Sequence, residues 1–253
     1  MSRLRAKCPD CRTYTAVALG PEYECHACGR EWRGGLVRVP RAWGDGGETM
    51  EAAAYLPLDH PEAVVVEEET LVLQTLALAA DLPDVPLILG GCCCAHIGAV
   101  EGLAARYDRL ALLWFDAHGD LNTPGTSPSG NTWGMPLRMI LDSGAVEPER
   151  TALIGARNLD APEEEFLRDT PVRRDPFDAL ADTDCAYVAF DVDVLEPEGP
   201  WMFMPEPGGL RLDEAAALLQ RVEGEARIAG IGFTGATPEA LPVVERLVSA
   251  AGL

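Results

Sequence analysis

The sequence contains no apolar run long enough to cross a membrane. Its longest apolar stretches, such as Leu71–Ala80 and Leu110–Phe115, end well short of the roughly 20 residues that a membrane-spanning helix needs. The N-terminal residues Met1–Lys7 are basic, but they lead into a cysteine motif instead of the apolar segment of a secretion signal. These absences predict a soluble, cytoplasmic protein without a signal peptide.

Basic residues are scarce, with 20 Lys and Arg against 41 Asp and Glu and a formal net charge of −21. Residues 1–38 carry seven of the basic residues and four acidic ones, a balance of +3, which leaves −24 for the rest of the chain. So acidic a body repels nucleic acid and anionic membranes, and we expect neither as a partner.

The eight cysteines are clustered rather than dispersed. Four form two Cys-x-x-Cys pairs separated by 13 residues, namely Cys8, Cys11, Cys25 and Cys28. The others are the run Cys92–Cys94 and Cys185. In a chain without an export signal, clustering favours metal binding or reduced thiols over disulfides. Two such pairs can complete a tetrahedral structural zinc site, which would supply the folding energy that so small a segment lacks. A redox role is the lesser alternative.

The composition changes along the chain and divides it into three parts. Residues 1–38 are predicted to form a zinc-ribbon module, residues 39–47 a linker, and residues 48–253 one larger domain. In that domain, continuous apolar segments alternate with amphipathic helices, which is the pattern of a parallel sheet covered on both faces. The sequence therefore predicts an α/β fold of three α-β-α layers with a mostly parallel sheet.

The predicted elements can be given by their bounds. The strands are Pro86–Leu89, Leu110–Phe115, Thr151–Gly155, Cys185–Phe190 and Arg227–Phe233. The helices are Ala63–Ala80, one that follows a Gly-Gly turn and ends near Arg106, Met135–Ser143, Leu212–Val222 and Pro238–Ala251.

Metal-binding residue types follow two of the predicted strands at the point where each strand ends. They are Asp116, His118 and Asp120 after one strand, and Asp191 and Asp193 after the other. In open parallel sheets, ligands bind at these carboxyl ends. Converging carboxylates repel one another unless cations lie between them, which argues against ordinary solvated turns. Four carboxylates match two divalent ions, and such a ligand set suits Mn²⁺ best, with Zn²⁺ or Fe²⁺ as alternatives.

The motifs DAHGD, NTPGTSPSGNTWGMP, FDVDVLEP and PEPGGL follow one another between about Pro86 and Pro238. In order and spacing they resemble the signatures of the ureohydrolase family of arginases, agmatinases and formiminoglutamases. The resemblance implies a three-layer fold, trimers or hexamers, and a two-manganese centre that hydrolyses a carbon–nitrogen bond of a guanidino or amidino group. By motif position, Asp116 and Asp191 would bridge the two ions, with Asp120 completing one site and His118 and Asp193 completing the other.

The same resemblance implies substrate contacts. Asn122, Ser129 and Asn131 fall where arginases hold the α-carboxylate of their substrate. Asp160, with Glu163 close by, falls where they hold the α-amino group. This implies a small, amino-acid-like substrate. The alternative is that these are ordinary loop residues, because Asn, Ser and Asp are favoured in turns in any case.

Three positions depart from the family pattern. Cys93 stands in place of a histidine ligand, and a thiolate there would shift the metal preference toward zinc or iron. The alternatives are that His96, one helical turn on, is the ligand or that this site is empty. Trp133 replaces a proton-transferring histidine, and an indole cannot accept a proton, so we expect an apolar wall or a stacking surface. Gly235 replaces a glutamate and removes a charge-assisted partner for guanidinium, a bond worth about 1.5–3 kcal/mol.

The leading hypothesis is a divergent binuclear metal-dependent hydrolase of a linear carbon–nitrogen bond, whether amidine, guanidino or amide. Metal-bound hydroxide would be the nucleophile, Asp116 and His118 would hold the metals, and Asp120 would carry the proton to the leaving nitrogen. The lost guanidinium partner argues against ordinary arginase or agmatinase activity. The alternatives are a one-metal, deacetylase-like hydrolase and a non-catalytic metal-binding scaffold.

Overall fold

The computed structural model describes residues 8, 11, 13, 15–19, 22–33 and 35–253. Two sheets are present in this part of the chain. One is a small antiparallel sheet and the other is a larger parallel sheet. The small sheet consists of β1 Ala16–Leu19, β2 Glu22–Cys25 and β3 Glu31–Arg33.

The large sheet has seven strands. They are β4 Gly35–Val39, β5 Glu62–Val65, β6 Pro86–Gly90, β7 Leu110–Phe115, β8 Thr151–Ile154, β9 Cys185–Asp191 and β10 Ile228–Thr234. The helices are α1 Glu48–Ala53, α2 Leu71–Asp81, α3 Ala95–Ala104, α4 Pro136–Ser143, α5 Ala161–Asp169, α6 Pro176–Leu180, α7 Leu212–Glu225 and α8 Leu241–Ala250. The strand order is β1-β2-β3 in the small sheet and β5-β4-β6-β10-β9-β7-β8 in the large sheet. The predicted three-layer α/β fold is confirmed.

Each central strand supplies both cores of the domain, because alternate side chains point to opposite faces of a sheet. Along β7, Leu113 and Phe115 face the core beneath α7 and α8, while Leu112 and Trp114 face the core beneath α2, α3 and α4. All four side chains are at most 1% exposed. Burial on both faces explains why these strands are continuous apolar runs.

The predicted helix Ala63–Ala80 is wrong in its first part. The consecutive valines after Glu62 form the edge strand β5, since β-branched residues favour extended structure. The helix begins only at Leu71, where the Thr70 hydroxyl accepts the Leu73 N–H at 3.2 Å and caps the helix.

The predicted domain boundaries also differ from the structure. Strand β4 lies between β5 and β6 in the large sheet, so the main domain includes residue 35 instead of starting at residue 48. Arg38 is 7% exposed and its guanidinium donates to Glu62 at 2.6 Å and to the Ala54 carbonyl at 2.7 Å. These contacts are distant in sequence, which is why the composition alone suggested the end of a separate module.

Among the described residues, few apolar side chains are buried beside the small sheet. Its buried cluster consists of Cys8, Ala16, Tyr23 and Cys25, against which Cys11 packs. Two of these four buried residues are cysteines, so thiols make up half of the cluster. In the part of the chain that the structure describes, no helix combines the length and apolarity needed to span a bilayer.

A chain shortened to start at residue 35 keeps β4, whereas one that starts at residue 48 loses it. Burying a side chain such as Leu36, Val37 or Val39 contributes roughly 1.5–3 kcal/mol, and a whole domain is stable by only about 5–15 kcal/mol. We expect the longer chain to unfold cooperatively by circular dichroism and the shorter one not to. Equal melting temperatures would contradict the placement of β4.

Candidate metal centre

The carboxyl edge of the sheet brings the predicted ligands together. Strands β7 and β9 are neighbours with Phe115 opposite Phe190, so Asp116 and Asp191 leave the sheet side by side. Cys93 follows β6 through a turn at Gly91, where an added Cβ would lie 1.8 Å from the Pro40 carbonyl oxygen. Only glycine allows so close a backbone approach.

The predicted metal residues surround one cavity of about 250 Å³. Those lining it are Cys93, Asp116, His118, Asp120, Asp191 and Asp193. They form two overlapping groups, Cys93-Asp116-Asp120 and Asp116-His118-Asp193, and within each group the ligand atoms lie within 4.8 Å of one another. Asp116 belongs to both groups, which is the position of a bridging carboxylate.

Short contacts connect the two groups. The Cys93 Sγ lies 3.0 Å from Asp191 Oδ2 and 3.9 Å from Asp116 Oδ2. The His118 Nδ1 lies 3.0 Å from Asp193 Oδ2 and 3.4 Å from Asp116 Oδ1. Asp191, which belongs to neither group, is thus in direct contact with the Cys93 thiol.

Hydrogen bonds fix the orientation of the carboxylates. Asp116 accepts the His118 backbone N–H at 2.7 Å and the Trp114 indole N–H at 3.1 Å. Asp191 accepts the Asp193 backbone N–H at 3.0 Å and the Thr234 hydroxyl at 3.2 Å. The ligands are thus held in place by the strand ends themselves, as a preorganised metal site requires.

Burial and mutual repulsion make this cluster hard to ionise. Burial, followed by the charge of Asp193, raises the pKa of Asp191 to about 7. Burial, followed by the charge of Asp116, raises the pKa of Asp193 to about 6 and that of Asp120 well above its usual range. Burial and the Asp191 charge likewise raise the pKa of the Cys93 thiol.

The pKa of His118 reflects the same excess of negative charge around it. Burial works against its charged form, but hydrogen bonds to Asp116 and Asp193 and their charges prevail and raise its pKa to about 12. In addition, Asp120 Oδ2 and His118 Nε2 are buried without a hydrogen-bond partner among the described residues. An over-acidic pocket with an unsatisfied buried carboxylate oxygen fits divalent cations, and the mixture of carboxylates, one imidazole and one thiol is a suitable ligand set.

His96 lies outside the carboxylate cluster. Its Nδ1 is 2.8 Å from the Tyr187 hydroxyl and its Nε2 is 3.3 Å from the Thr234 hydroxyl. The ring packs edge-on against Trp114 at 5.2 Å, and burial lowers its pKa to about 3. The structure therefore brings Cys93, and not His96, to the carboxylate cluster.

The predicted substrate residues separate into two sets. Asn122, Ser129, Trp133, Asp160 and Glu163 line the cavity. The Asn122 amide donates to Asp160 at 2.8 Å. Asn131 lies outside the lining and accepts the Asp45 backbone N–H at 3.1 Å, because its loop packs against the segment before α1.

Glu163 has a structural role at this site. Its two oxygens accept the backbone N–H groups of Leu121 and Asp160, each at 2.9 Å. The second of these bonds closes the capping box at the start of α5. Glu163 thereby orients the loops that carry Asp120 and Asp160 rather than presenting a free carboxylate.

Several residues of the site had no signal in the sequence. Met50, Phe203 and Met204 line the cavity although they belong to segments distant from the metal motifs. Arg157 donates to the carbonyls of Asp193 at 2.8 Å and Glu206 at 2.6 Å, which ties a metal-site loop to the segment after Met204. These contacts arise from tertiary packing, so no local pattern marks them.

The N-terminal cysteines also converge. Cys8 and Cys28 have their sulfur atoms 3.5 Å apart, as do Cys11 and Cys25. All four sulfur atoms lie within 4.8 Å of one another. This arrangement is compatible with a tetrahedral zinc ion.

The fold and the cavity together define an α/β protein with a carboxylate-rich metal site at the carboxyl edge of a parallel sheet. Residues 48–245 match the model of the Arginase family, and the chain belongs to that family. The resemblance predicted from the motifs is thereby confirmed.

Individual relatives agree with this assignment. The arginase of Bacillus subtilis (strain 168) is 32% identical over 182 residues, which cover 60% of this chain and 62% of that protein. The arginase of Bacillus caldovelox is 33% identical over 183 residues, which cover 60% of this chain and 61% of that protein. The sequence matches thus span less than two thirds of these relatives. A crystal structure of the Bacillus subtilis arginase has a TM-score of 0.75 at 23% identity and covers 86% of this chain and 96% of that one, which shows the fold.

The raised pKa values of the carboxylates stabilise the metal-free fold at low pH, because its folded state binds protons more tightly than the unfolded chain. For Asp191 and Asp193 this contribution is complete below the ordinary value of 3.8 and is lost as the pH rises through 6 to 7. Bound cations neutralise these carboxylates in place of the protons. Adding Mn²⁺ to chelator-treated protein should therefore raise the melting temperature more at pH 8 than at pH 5.5. A rise independent of pH would contradict this account.

Proposed function

We propose that the protein is a binuclear metal-dependent hydrolase that cleaves a linear carbon–nitrogen bond in a small, amino-acid-related molecule. The observation that carries this proposal is the pair of overlapping ligand groups that share Asp116 in one cavity. Membership of the Arginase family supports it. A cavity of about 250 Å³ suits a small molecule rather than a polymer.

In this proposal, Cys93 and Asp120 would hold one ion, His118 and Asp193 would hold the other, and Asp116 and Asp191 would serve both. Mn²⁺ is the family's expected metal, and the thiol of Cys93 favours Zn²⁺ or Fe²⁺ at the first position. When bound, two such ions make a water nucleophilic near neutral pH and stabilise negative charge that develops on the substrate.

The side chains of the cavity have separate roles in proton transfer and substrate binding. Asp120 has one carboxylate oxygen without a hydrogen-bond partner among the described residues, so it can take a proton from the attacking water and deliver it to the leaving nitrogen. Asn122, Ser129 and Asp160 offer polar groups for the carboxylate and amino ends of the substrate. Trp133 cannot relay a proton and forms part of the cavity wall.

We further propose a substrate other than arginine or agmatine. The strand end at Gly235 has φ +62°, and a Cβ there would lie 2.0 Å from Asp191 Oδ1. A carboxylate side chain therefore cannot occupy this position without displacing a proposed bridging ligand. The carboxylate that would receive a guanidinium is therefore absent from this position.

The N-terminal cysteines are proposed to hold one structural Zn²⁺ in a ribbon module. The eight free thiols of the chain, half of which belong to these two Cys-x-x-Cys pairs, fit a reducing compartment such as the cytoplasm. Family membership also supports a homo-oligomer, either a trimer or a hexamer.

The hydrolase proposal is tested with metal-loaded protein and amino acids whose side-chain nitrogen carries an amidino, formimino or acyl group. We expect release of the free amine from at least one class, detected by mass spectrometry. Asp193→Asn should abolish the release, whereas Asp169→Asn, a matched change at an exposed position on α5, should leave it unchanged. Equal turnover by both variants would overturn the assignment of the site.

Cys93→Ser is expected to lower the metal bound per chain by one ion, because a neutral hydroxyl replaces a thiolate ligand. Cys94→Ser changes an equally buried neighbour that does not line the cavity, and it should keep the full complement. Native mass spectrometry in Zn²⁺ measures both. If Cys93→Ser retains every ion while His96→Ala loses one, the ligand has been misassigned.

Arginine and agmatine are expected to give no more urea with the metal-loaded protein than with its Asp193→Asn variant. Gly235→Glu should not create the activity, because the new side chain collides with Asp191. Urea release is measured with a colorimetric assay. Brisk urea release from either compound would contradict the proposed substrate class.

A further inference from the structure

The cavity has an apolar wall beside the proposed metal centre. Met50, Trp133, Phe203 and Met204 line it, and Trp133 meets Phe203 edge-on with ring centroids 6.2 Å apart. The Phe203 backbone N–H donates to the Gly235 carbonyl at 2.8 Å. The wall is therefore connected by a backbone hydrogen bond to Gly235, which lies beside Asp191.

The carboxylates of the site that lie outside the metal cluster accept hydrogen bonds from neutral donors. Glu163 accepts two backbone N–H groups, and Asp160 accepts the amide of Asn122. Glu206, two residues beyond the wall, accepts the Asn158 amide at 2.8 Å and lies 3.7 Å from His118 Nε2. The four wall residues carry no charge of their own, so a cationic group packed against them would lose hydration to apolar side chains.

We propose that this wall, formed by Met50, Trp133, Phe203 and Met204, binds the short apolar acyl group of an N-acylated amino compound, so that the bond hydrolysed is an amide. This proposal rests on the hydrolase function proposed above and specifies its substrate class. An acyl group is uncharged, so burying it against the two aromatic rings and the two methionines is favourable.

The reaction balances with water as the only co-reactant. The oxygen of water forms a bond to the acyl carbon, and the carbon–nitrogen bond breaks. The nitrogen leaves with a proton from that water, for which Asp120 is the carrier. The products are a short carboxylic acid and a primary amine, and no oxidant or reductant is consumed.

Straight-chain alkyl hydroxamates test the wall directly, because their head group chelates the metals and their chain takes the place of the acyl group. Their dissociation constants are measured by isothermal titration calorimetry on the full-length, metal-loaded protein. We expect affinity to increase about fourfold for each methylene added from acetyl to butyryl, the usual gain for burying a methylene group. Free guanidine should not compete.

Variants assign the effect to the wall. Met204→Ala changes a side chain that is 41% exposed and so does not endanger folding, and Trp133→Ala removes the larger ring. Both should reduce the gain to less than twofold per methylene. Phe177→Ala, a matched change of a half-buried phenylalanine outside the cavity, should preserve it.

Two outcomes would overturn the proposal, and they are distinguishable. If hydroxamates bind with no dependence on chain length, or if guanidine displaces them through cation–π contact with Trp133, the metal centre stands and the acyl wall is wrong. If no hydroxamate binds to the metal-loaded protein, the hydrolase function itself fails, and the acyl proposal fails with it.

Discussion

Repulsion among four buried carboxylates at the carboxyl edge of the sheet is the constraint on which the rest of the structure depends. Burial alone penalises each charge, and the proximity of Asp116, Asp191 and Asp193 adds to the penalty. A protein can maintain such a cluster only if protons or cations neutralise it. The raised pKa values and the unpartnered oxygen of Asp120 are two expressions of this one excess of negative charge.

The rigid sheet makes the crowding possible. Strands β7 and β9 pair along their full shared length, and their side chains fill cores on both faces. The backbone at Asp116 and that at Asp191 therefore cannot move apart without breaking strand pairing. The hydrogen bonds from Trp114 and Thr234 add directional support. Core packing offsets the electrostatic cost of the site.

The sequence was sufficient for five of the seven strands of the large sheet and for the positions of the acidic motifs after two of them. Continuous apolar runs mark strands that are buried on both faces, and the acidic motifs stand directly after them. Since parallel strands end at one edge, the pattern places Asp116, His118, Asp191 and Asp193 at the same edge, and the pairing of β7 with β9 brings them together. The structure places these side chains around a single cavity, together with Cys93 and Asp120.

The features that could not be predicted depend on contacts between distant segments. Strand β4 resembles the end of the cysteine module until its pairing with β6 is known. The valines before Thr70 fit either a helix or a strand by composition. The wall residues Phe203 and Met204 carry no motif, and their role depends on where the loop after β9 folds back to Gly235.

The number of metal ions per chain, measured by inductively coupled plasma mass spectrometry, tests the central claim most directly. The account predicts three ions, of which Cys25→Ser removes one and Asp191→Ala removes at least one other. Two ions in the unaltered protein would indicate a single-metal hydrolase. A single ion that disappears in Cys25→Ser would mean that protons alone neutralise the carboxylate cluster, and this would contradict the account.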